Sequence, residues 1–245
     1  MTFWDHLEEL RGTLFRSLVA VCLMTCIGLA FRNFIFDNII LPPISGDFFI
    51  YKWFPLGSDI KIVNLEVSGQ FLVHLRVSLM LGLVLAFPYV IWEVWRFIAP
   101  ALYPNEKKGV GKAFLLSSGL FYFGVAIGYF ILLPVCLAFF QGYTVSDSIP
   151  NTFSLQSYIS LFGSMVLLIG VTFEFPILIM ILSEIGVLNR GLLKKGRKYA
   201  LVAVLIVAAI ITPADLGSMI IVTIPLYGLY ELSILFCKRQ EEIAE

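Results

Sequence analysis

The sequence has little charge. Only 14% of its 245 residues are Asp, Glu, Lys or Arg, whereas a soluble domain carries about 25%. Hydrophobic residues make up 59% of the chain, and the mean hydropathy is +0.92. This composition excludes a soluble globular protein and indicates an integral membrane protein. The formal net charge is zero, so a nucleic-acid partner is not expected.

The residues that build metal and redox sites are also few. The chain has two histidines, His6 and His74, and its four cysteines form no Cys-x-x-Cys motif. Cys22 and Cys26 lie one helical turn apart in an apolar stretch, and we expect them to be small buried residues. The sequence contains no glycine-rich phosphate-binding loop. We predict no metal and no cofactor.

Six apolar segments are predicted to be membrane helices, since a crossing takes about 20 mostly apolar residues. They lie at residues 13–31, 71–92, 113–140, 155–183, 199–212 and 216–236. Pro134 is expected to break the third helix. The fifth is short, about 21 Å at about 1.5 Å per residue, so the last two helices form a short hairpin. The predicted fold is all-α, one membrane domain over residues 1–245 with an outer loop at 32–70.

The basic residues predict how these helices are oriented. Thirteen of the 17 Lys and Arg residues lie in the N-terminal segment, the loops after the second and fourth helices, and the C-terminal tail. The loop at 32–70 holds three, and Arg76 lies at the start of the second helix. Because basic residues concentrate on the cytoplasmic side, both termini are predicted to be cytoplasmic.

Glu174 is the only charged residue in the segment 162–182. It lies roughly 14 Å along the helix from Glu184, near the middle of the membrane. Pro176 has no N–H for the carbonyl of Thr172, and we expect a kink there. Gly170, one turn earlier, lets another helix approach closely. Together these residues predict a polar notch that docks a membrane helix.

Other interpretations of Glu174 remain open. It is a protonated group hydrogen-bonded inside the bundle, or the proton or ion site of a coupled secondary transporter. The transporter is less favoured because no other helix centre has an acid or base, and the first three helices have no counterpart of Glu174-Phe-Pro176. An intramembrane protease needs a base beside Ser164, and His74 is predicted at a different depth.

Two further carboxylates stand out on the predicted cytoplasmic face. Glu9 lies in the stretch His6-Leu-Glu-Glu-Leu-Arg11, just before the first apolar segment. Glu106 lies in the loop between the second and third helices, which Pro100 and Pro104 stiffen. Each carboxylate can bind a guanidinium through two hydrogen bonds. From the residues alone, a glutamate in such a place is more often a solvated surface charge.

These stretches resemble the TatC family, the multispanning core subunit of the twin-arginine protein translocase. The resemblance covers nearly the whole chain. Each motif is only moderately specific, but all of them occur in the order typical of the family. The matching motifs are His6–Arg11, Phe97–Tyr103 with Glu106-Lys107, Gly170–Pro176, Thr212–Asp215 and Pro225–Glu231.

The resemblance implies a receptor for the twin-arginine signal peptides of folded cargo. The implied signal-peptide site consists of Glu9, Arg11, Phe97, Pro100, Leu102, Tyr103 and Glu106. The implied docking site for the single-span partners TatA and TatB consists of Gly170, Thr172, Glu174 and Pro176, on the concave side of a cupped bundle. Pro213 and Asp215 mark the outer turn of the last hairpin.

The resemblance also implies how and where the protein works. Export is expected to be driven by the proton-motive force, so the protein itself is not expected to be an enzyme. Its expected location is the cytoplasmic (inner) membrane, where it contacts lipid and associates with further copies of itself in a receptor complex.

Overall fold

The fold is described by a computed structural model, which places residues 3–52, 60–98, 110–146, 151–184, 186–212 and 216–237. Within these ranges the α-helices are α1 Phe3–Ala30, α2 Arg32–Ile35, α3 Gly69–Ile98, α4 Val110–Ile127, α5 Leu133–Gly142, α6 Leu155–Gly163, α7 Ile169–Thr172, α8 Phe175–Glu184, α9 Arg190–Ile211 and α10 Leu216–Phe236. Three π-helical segments, Phe36–Ile40, Gly128–Leu132 and Ser164–Leu168, follow α2, α4 and α6. Short 3₁₀ turns span Pro42–Ile44 and Phe49–Lys52, and two short strands are β1 Ile62–Val63 and β2 Phe153–Ser154.

Five helical stretches in this part of the chain are long and apolar enough to cross a membrane: Leu7–Ala30, Gly69–Ile98, Phe114–Gly142, Leu155–Ser183 and Leu216–Leu235. They confirm the all-α, multi-pass fold predicted from the sequence. The predicted crossing at 199–212 belongs to α9, which begins at Arg190 and has five basic residues before Tyr199. Six crossings are therefore not confirmed, because the apolar part of α9 is short.

The helices extend beyond the apolar segments that predicted them. α1 begins at Phe3 rather than at residue 13, and α3 ends at Ile98 rather than at residue 92. Hydropathy marks the part of a helix that lies in hydrocarbon, so it misses polar turns at the ends.

Pro134, which was expected to break the third helix, does not. The helix passes through the π-helical segment Gly128–Leu132 and continues to Gly142. Pro134 lies at the start of the α-helical stretch that follows this segment. A proline inside a helix removes one backbone hydrogen bond, and the π-helical turn just before Pro134 accommodates this distortion without ending the helix.

The contacts within the chain form two compact units. The first unit contains Met1–Pro42, Ile62–Gly119 and Ser154–Ile159, and the second contains Pro43–Lys61, Leu120–Phe153 and Ser160–Glu245. Each unit is built from segments that are far apart in the sequence, so helix packing rather than chain order defines it.

An antiparallel pair of helices, α1 and α3, organises the first unit. Gly28 lies against Ser78 and Thr25 against Gly82, so residue numbers rise along one helix as they fall along the other. A Cβ on Gly82 would lie 2.3 Å from Thr25 Oγ1 and 2.8 Å from its backbone nitrogen, so the approach requires glycine. Small residues at such an interface let two membrane helices pack closely.

The cysteines of α1 were expected to be buried, and this prediction is wrong. Cys22 and Cys26 are exposed free thiols. The buried face of α1 carries Thr13 and Val21 instead. The small size of cysteine favoured burial. The face of α1 that α3 covers is set instead by the register of the two helices.

The second unit has a fully buried core. Its largest buried side chains include Phe121, Leu133, Met165 and Ile169, each with essentially no exposed surface. A further cluster joins α8, α9 and α10, with Ile179, Leu193, Tyr230, Ile234 and Cys237. The Tyr230 hydroxyl donates to the Leu193 carbonyl at 2.7 Å, and the Cys237 thiol donates to Ser183 Oγ at 3.0 Å. These bonds connect α10 to its two neighbours.

The predicted outer loop at 32–70 is partly helical where it is described. In the second unit, Phe48 packs against Tyr129 and Phe130. The Tyr51 hydroxyl donates to the Pro43 carbonyl, and burial raises the pKa of the Tyr51 phenol. A neutral, hydrogen-bonded tyrosine therefore closes this turn of the loop at physiological pH.

Candidate functional site

The first candidate site lies where α1 begins and α3 ends. Glu9 is half-buried and Arg11 is exposed on α1, while Phe97 is half-buried in the last turn of α3. Because α1 and α3 are antiparallel, these three predicted residues belong to the same end of the helix pair. Four other predicted members, Pro100, Leu102, Tyr103 and Glu106, lie outside the described residues.

A buried ion pair connects the two helices at this end. Glu93 in α3 is only 3% exposed, and its Oε2 accepts from Arg16 Nε at 2.9 Å and lies 2.8 Å from Arg16 Nη2. Arg96 Nη1 is 3.9 Å from the other carboxylate oxygen. Thr13 Oγ1 accepts a longer bond, at 3.4 Å, from Arg16. Both Arg16 nitrogens approach the same carboxylate oxygen, so the contact is a charge-assisted hydrogen bond rather than a fork that engages both oxygens.

Glu9 and Glu93 differ in whether they form an ion pair with Arg16. Glu9 lies two turns before Arg16 on α1, close enough for their charges to interact. Arg16 nevertheless forms its hydrogen bonds with Glu93 and Thr13. Among the described residues Glu9 takes part in no ion pair. Glu93, by contrast, lies within 4 Å of two guanidinium groups.

Sequence reasoning missed the pairing of Arg16 with Glu93. Arg16 counted only as a basic residue for orientation, and Glu93 was not singled out. The available signal was a lone glutamate between Trp92 and Val94, at the end of an apolar stretch. Such a group is costly in the membrane without a partner. The partner is 77 residues away, so only the helix register identifies it.

The second candidate site surrounds Glu174, in a turn between α7 and α8. The Glu174 N–H donates to the Val171 carbonyl at 3.0 Å, and its own carbonyl accepts from Ile177 and Leu178 at 3.0 and 3.1 Å. The α-helical pattern is thus interrupted at Phe173 and Glu174. The interruption agrees with the missing N–H of Pro176, which has no donor for the carbonyl one turn earlier. Glu174 is half-buried.

Gly170 contacts the chain's own third predicted helix. A Cβ there would lie 2.7 Å from Val125 Cγ2 and 3.0 Å from Phe121 Cε2. The sequence predicted close approach by another helix, and in the second unit that helix is α4. The Thr172 hydroxyl donates to the Leu168 carbonyl at 2.7 Å, and Pro176 is buried. Gly170, Thr172 and Pro176 thus pack within their own chain.

The exposed face beside Glu174 is apolar. It carries Val171, Phe175, Leu178 and Leu182, with exposed fractions of 51%, 43%, 55% and 37%. Phe175, Leu178 and Leu182 are spaced by three and four residues, which places them along one side of α8. Val171 lies before the interruption, in α7. Glu174 follows Val171 by three residues and precedes Leu178 by four, so it belongs to this face. We call these four apolar residues the exposed stripe.

The last hairpin is described on both sides of its turn. Thr212 is buried at the end of α9, and Pro213 and Asp215 lie outside the described residues. Arg197 and Glu231 form an ion pair between α9 and α10 at 2.7 Å. Both side chains are partly exposed, 49% and 35%.

Comparisons with known proteins agree on one family. The family profile "TatC: Sec-independent protein translocase protein (TatC)" matches residues 5–225. "Sec-independent protein translocase protein TatC" of Blattabacterium sp. subsp. Periplaneta americana (strain BPLAN) is 39% identical, over 96% of this chain and 94% of that protein. The protein so named in Escherichia coli (strain K12) is 32% identical, over 95% of this chain and 86% of its own length. The solved structure "Crystal Structure of Twin Arginine Translocase Receptor- TatC in DDM" has a TM-score of 0.83 and 32% identity, covering 95% of this chain and 99% of its own.

Proposed function

Because this chain belongs to the TatC family of Sec-independent protein translocase proteins, we propose that it binds the twin-arginine signal peptides of folded cargo. In this proposal Glu9 and Glu106 each bind one guanidinium of the peptide at the cytoplasmic face of the inner membrane. Phe97, Pro100, Leu102 and Tyr103 shape the surface around Glu106, and Arg11 borders Glu9.

The observation that supports this function is that Arg16 pairs with Glu93 and not with Glu9. Arg16, the nearest cation on the same face of α1, is held by the buried Glu93 at 2.8 Å. Glu9 is in none of the ion pairs of the described residues, and we expect it to accept a cation from the peptide. A planar guanidinium matches this acceptor better than an ammonium does, since it can donate two parallel hydrogen bonds.

A peptide titration tests the proposal. The purified chain in detergent is titrated with a labelled signal peptide that carries Arg-Arg, and then with the same peptide carrying Lys-Lys. Glu9→Ala and Glu106→Ala should each weaken Arg-Arg binding by about tenfold or more, equivalent to about 1.4 kcal/mol. The preference for Arg-Arg over Lys-Lys should shrink in both variants.

Glu8→Ala is the matched control. Glu8 is an exposed neighbour of Glu9 on α1, and its removal changes the net charge by the same amount. It should leave the affinity near that of the unmodified chain. Equal losses of peptide affinity in Glu8→Ala and Glu9→Ala would indicate general electrostatic attraction and would contradict specific binding of a guanidinium by Glu9.

We further propose that Glu174 and the exposed stripe dock the transmembrane helix of a single-span partner of the TatA or TatB type. A carboxylate at the edge of an apolar face can accept a hydrogen bond from a polar side chain on the facing helix, which is favourable in lipid. The assembled complex, with further copies of this chain, would export folded cargo using the proton-motive force and no enzymatic step of this subunit.

Photo-crosslinking tests the docking proposal. A photoreactive amino acid at Leu178, in the exposed stripe, should crosslink to the partner helix in membranes. Glu174→Ala should reduce this crosslink by about fivefold or more, the loss of about 1 kcal/mol. Thr223→Val on α10 is the control, because the hydroxyl it removes is bonded within its own helix, to the Met219 carbonyl, and Thr223 is not part of the docking site. An unchanged crosslink in Glu174→Ala would exclude Glu174 as the contact.

A further inference from the structure

A polar pocket lies at the other end of the α1–α3 pair, away from Glu93. Two adjoining open pockets, of about 370 and 600 Å³, both contain Arg32, Asn33 and His74. The larger one is also lined by Phe36, Asp37, Gln70, Phe71, Val73 and Leu155. All of these residues belong to the first unit. We call this the Arg32–His74 pocket.

Hydrogen-bonding groups in this pocket are left for a ligand. The Nε2 atom of His74 is buried and has no hydrogen-bond partner among the described residues. A buried polar nitrogen without a partner is unfavourable, so a shift of the His74 ring that brings this nitrogen to a ligand atom in the pocket is favoured. The His74 ring also contacts the edge of Phe36. Arg32 is exposed, and one of its five N–H groups reaches Asn33 Oδ1 at 3.3 Å.

The pocket lies where the hydrocarbon of a membrane ends. The apolar span of α1 ends at Ala30, just before Arg32, and the span of α3 begins at Gly69. His74 is five residues into α3, about 7.5 Å along its axis. Large exposed aromatic residues surround this level: Phe31, Phe34 and Phe71 are 60%, 62% and 65% exposed. Exposed apolar rings next to polar groups place this pocket at the boundary between hydrocarbon and headgroups.

We propose that the Arg32–His74 pocket binds the headgroup of a zwitterionic phospholipid that carries a primary ammonium. The phosphate lies against the Arg32 guanidinium and His74 Nε2, and the ammonium lies toward the Asp37 carboxylate. Arg32 offers the paired N–H donors that match phosphate oxygens. The exposed phenylalanines contact the acyl chains, so the ligand is a lipid rather than a soluble phosphate.

The charges of the pocket favour a zwitterion over an anionic lipid. Among the described residues, the charged groups that line it are Arg32 and Asp37, and their charges cancel. An anionic headgroup would leave Asp37 without a cation and would add repulsion. A quaternary ammonium can approach Asp37 but has no N–H to donate, so it should bind less tightly than a primary ammonium.

Lipid titration of the intact chain tests this assignment. The purified protein in detergent is titrated with phosphatidylethanolamine, phosphatidylcholine and phosphatidylglycerol, and bound lipid is counted by native mass spectrometry. We expect phosphatidylethanolamine to bind most tightly. Arg32→Gln and His74→Phe should each weaken it by about fivefold or more, since a bidentate charged contact or a buried bond is lost. Inorganic phosphate and phosphoethanolamine, the soluble counterparts, should not displace the lipid at equal concentration.

Asp37→Asn and Arg76→Gln provide the specificity test and the control. Asp37→Asn should remove the preference for phosphatidylethanolamine over phosphatidylglycerol while keeping the phosphate contact. Arg76 is exposed on α3, two residues beyond His74 and outside the pocket, so Arg76→Gln should change nothing. Equal effects of Arg32→Gln and Arg76→Gln would overturn the proposal, and so would equal binding of all three lipids. Displacement by inorganic phosphate would identify an anion site and exclude the lipid.

Discussion

Glu93 and Glu174 are both carboxylates in apolar helices, but their surroundings differ. Glu93 in α3 is 3% exposed, and the guanidinium groups of Arg16 and Arg96 face its two oxygens. Glu174 is half-buried, lies in a helix interruption, and borders a row of exposed apolar side chains. One carboxylate joins two helices of the same unit, whereas the other lies beside an exposed apolar face.

This comparison distinguishes two reasons for placing a charge at membrane depth. A glutamate enclosed by arginines of its own chain contributes to the packing of that chain, so its removal should lower the free energy of unfolding. A glutamate on an exposed face contributes to stability only weakly, and its removal should be felt in assembly. Burial and the origin of the surrounding groups, rather than residue type, decide between the two.

The largest expected effect is that of Arg16→Ala. It leaves a buried carboxylate with only Arg96, at 3.9 Å and itself mostly exposed. Arg16 is itself partly exposed, but its loss leaves the enclosed Glu93 carboxylate poorly compensated, so the unfolding free energy should fall more than in any other variant named here. Unfolding of the chain in mixed micelles measures this loss. Glu174→Gln, the matched change at the other carboxylate, should cost less than about 1 kcal/mol. Similar losses in both variants would remove the distinction.

A double variant shows whether the Arg16–Glu93 pair stabilises the fold or only offsets the cost of desolvating its two charges. Replacing both partners by apolar residues avoids the desolvation of two charges, which often restores stability. Arg16→Met combined with Glu93→Leu should therefore be more stable than Arg16→Ala alone. A double variant as unstable as the single one would mean that the hydrogen-bond geometry itself is required.

The sequence predicted the helices better than it predicted their partners. Five crossings follow from hydropathy because hydrocarbon demands about 20 apolar residues for each helix. The interruption at Glu174 follows from Pro176, whose missing N–H is a local property. The contact of Arg16 with Glu93 depends on the register of two helices, and no local pattern encodes it. Gly170 shows the same limit, since a small residue predicts a close neighbour but not which helix provides it.

Gly170→Ala sharpens the comparison on the Glu174 side. The added Cβ would lie 2.7 Å from Val125 Cγ2 and 3.0 Å from the fully buried Phe121. Overpacking of this kind costs about 1–2 kcal/mol. The variant should therefore lose stability, measured by unfolding, while the crosslink from Leu178 to a partner persists.

Gly119→Ala is the control for this substitution, because no atom lies within 4 Å of its added Cβ. In the middle of α4 an alanine should stabilise the helix, by up to about 1 kcal/mol relative to glycine. If Gly170→Ala abolished the crosslink without any loss of stability, Gly170 would face the partner rather than α4.

The smallest effect is expected at the ion pair of Arg197 with Glu231, which isolates the contribution of burial. Its shortest distance, 2.7 Å, is close to the 2.8 Å of Arg16 and Glu93, but its carboxylate is 35% exposed rather than 3%. Exposed pairs contribute about 0.5 kcal/mol, so Arg197→Ala should change the unfolding free energy by that amount. This change should vanish at 1 M salt, where the screening length falls to about 3 Å, whereas the loss in Arg16→Ala should persist. Because residue types and distances match, a difference between the two variants measures burial. Equal losses of unfolding free energy would mean that distance alone sets the strength of these pairs. The burial of Glu93 would then add nothing to stability.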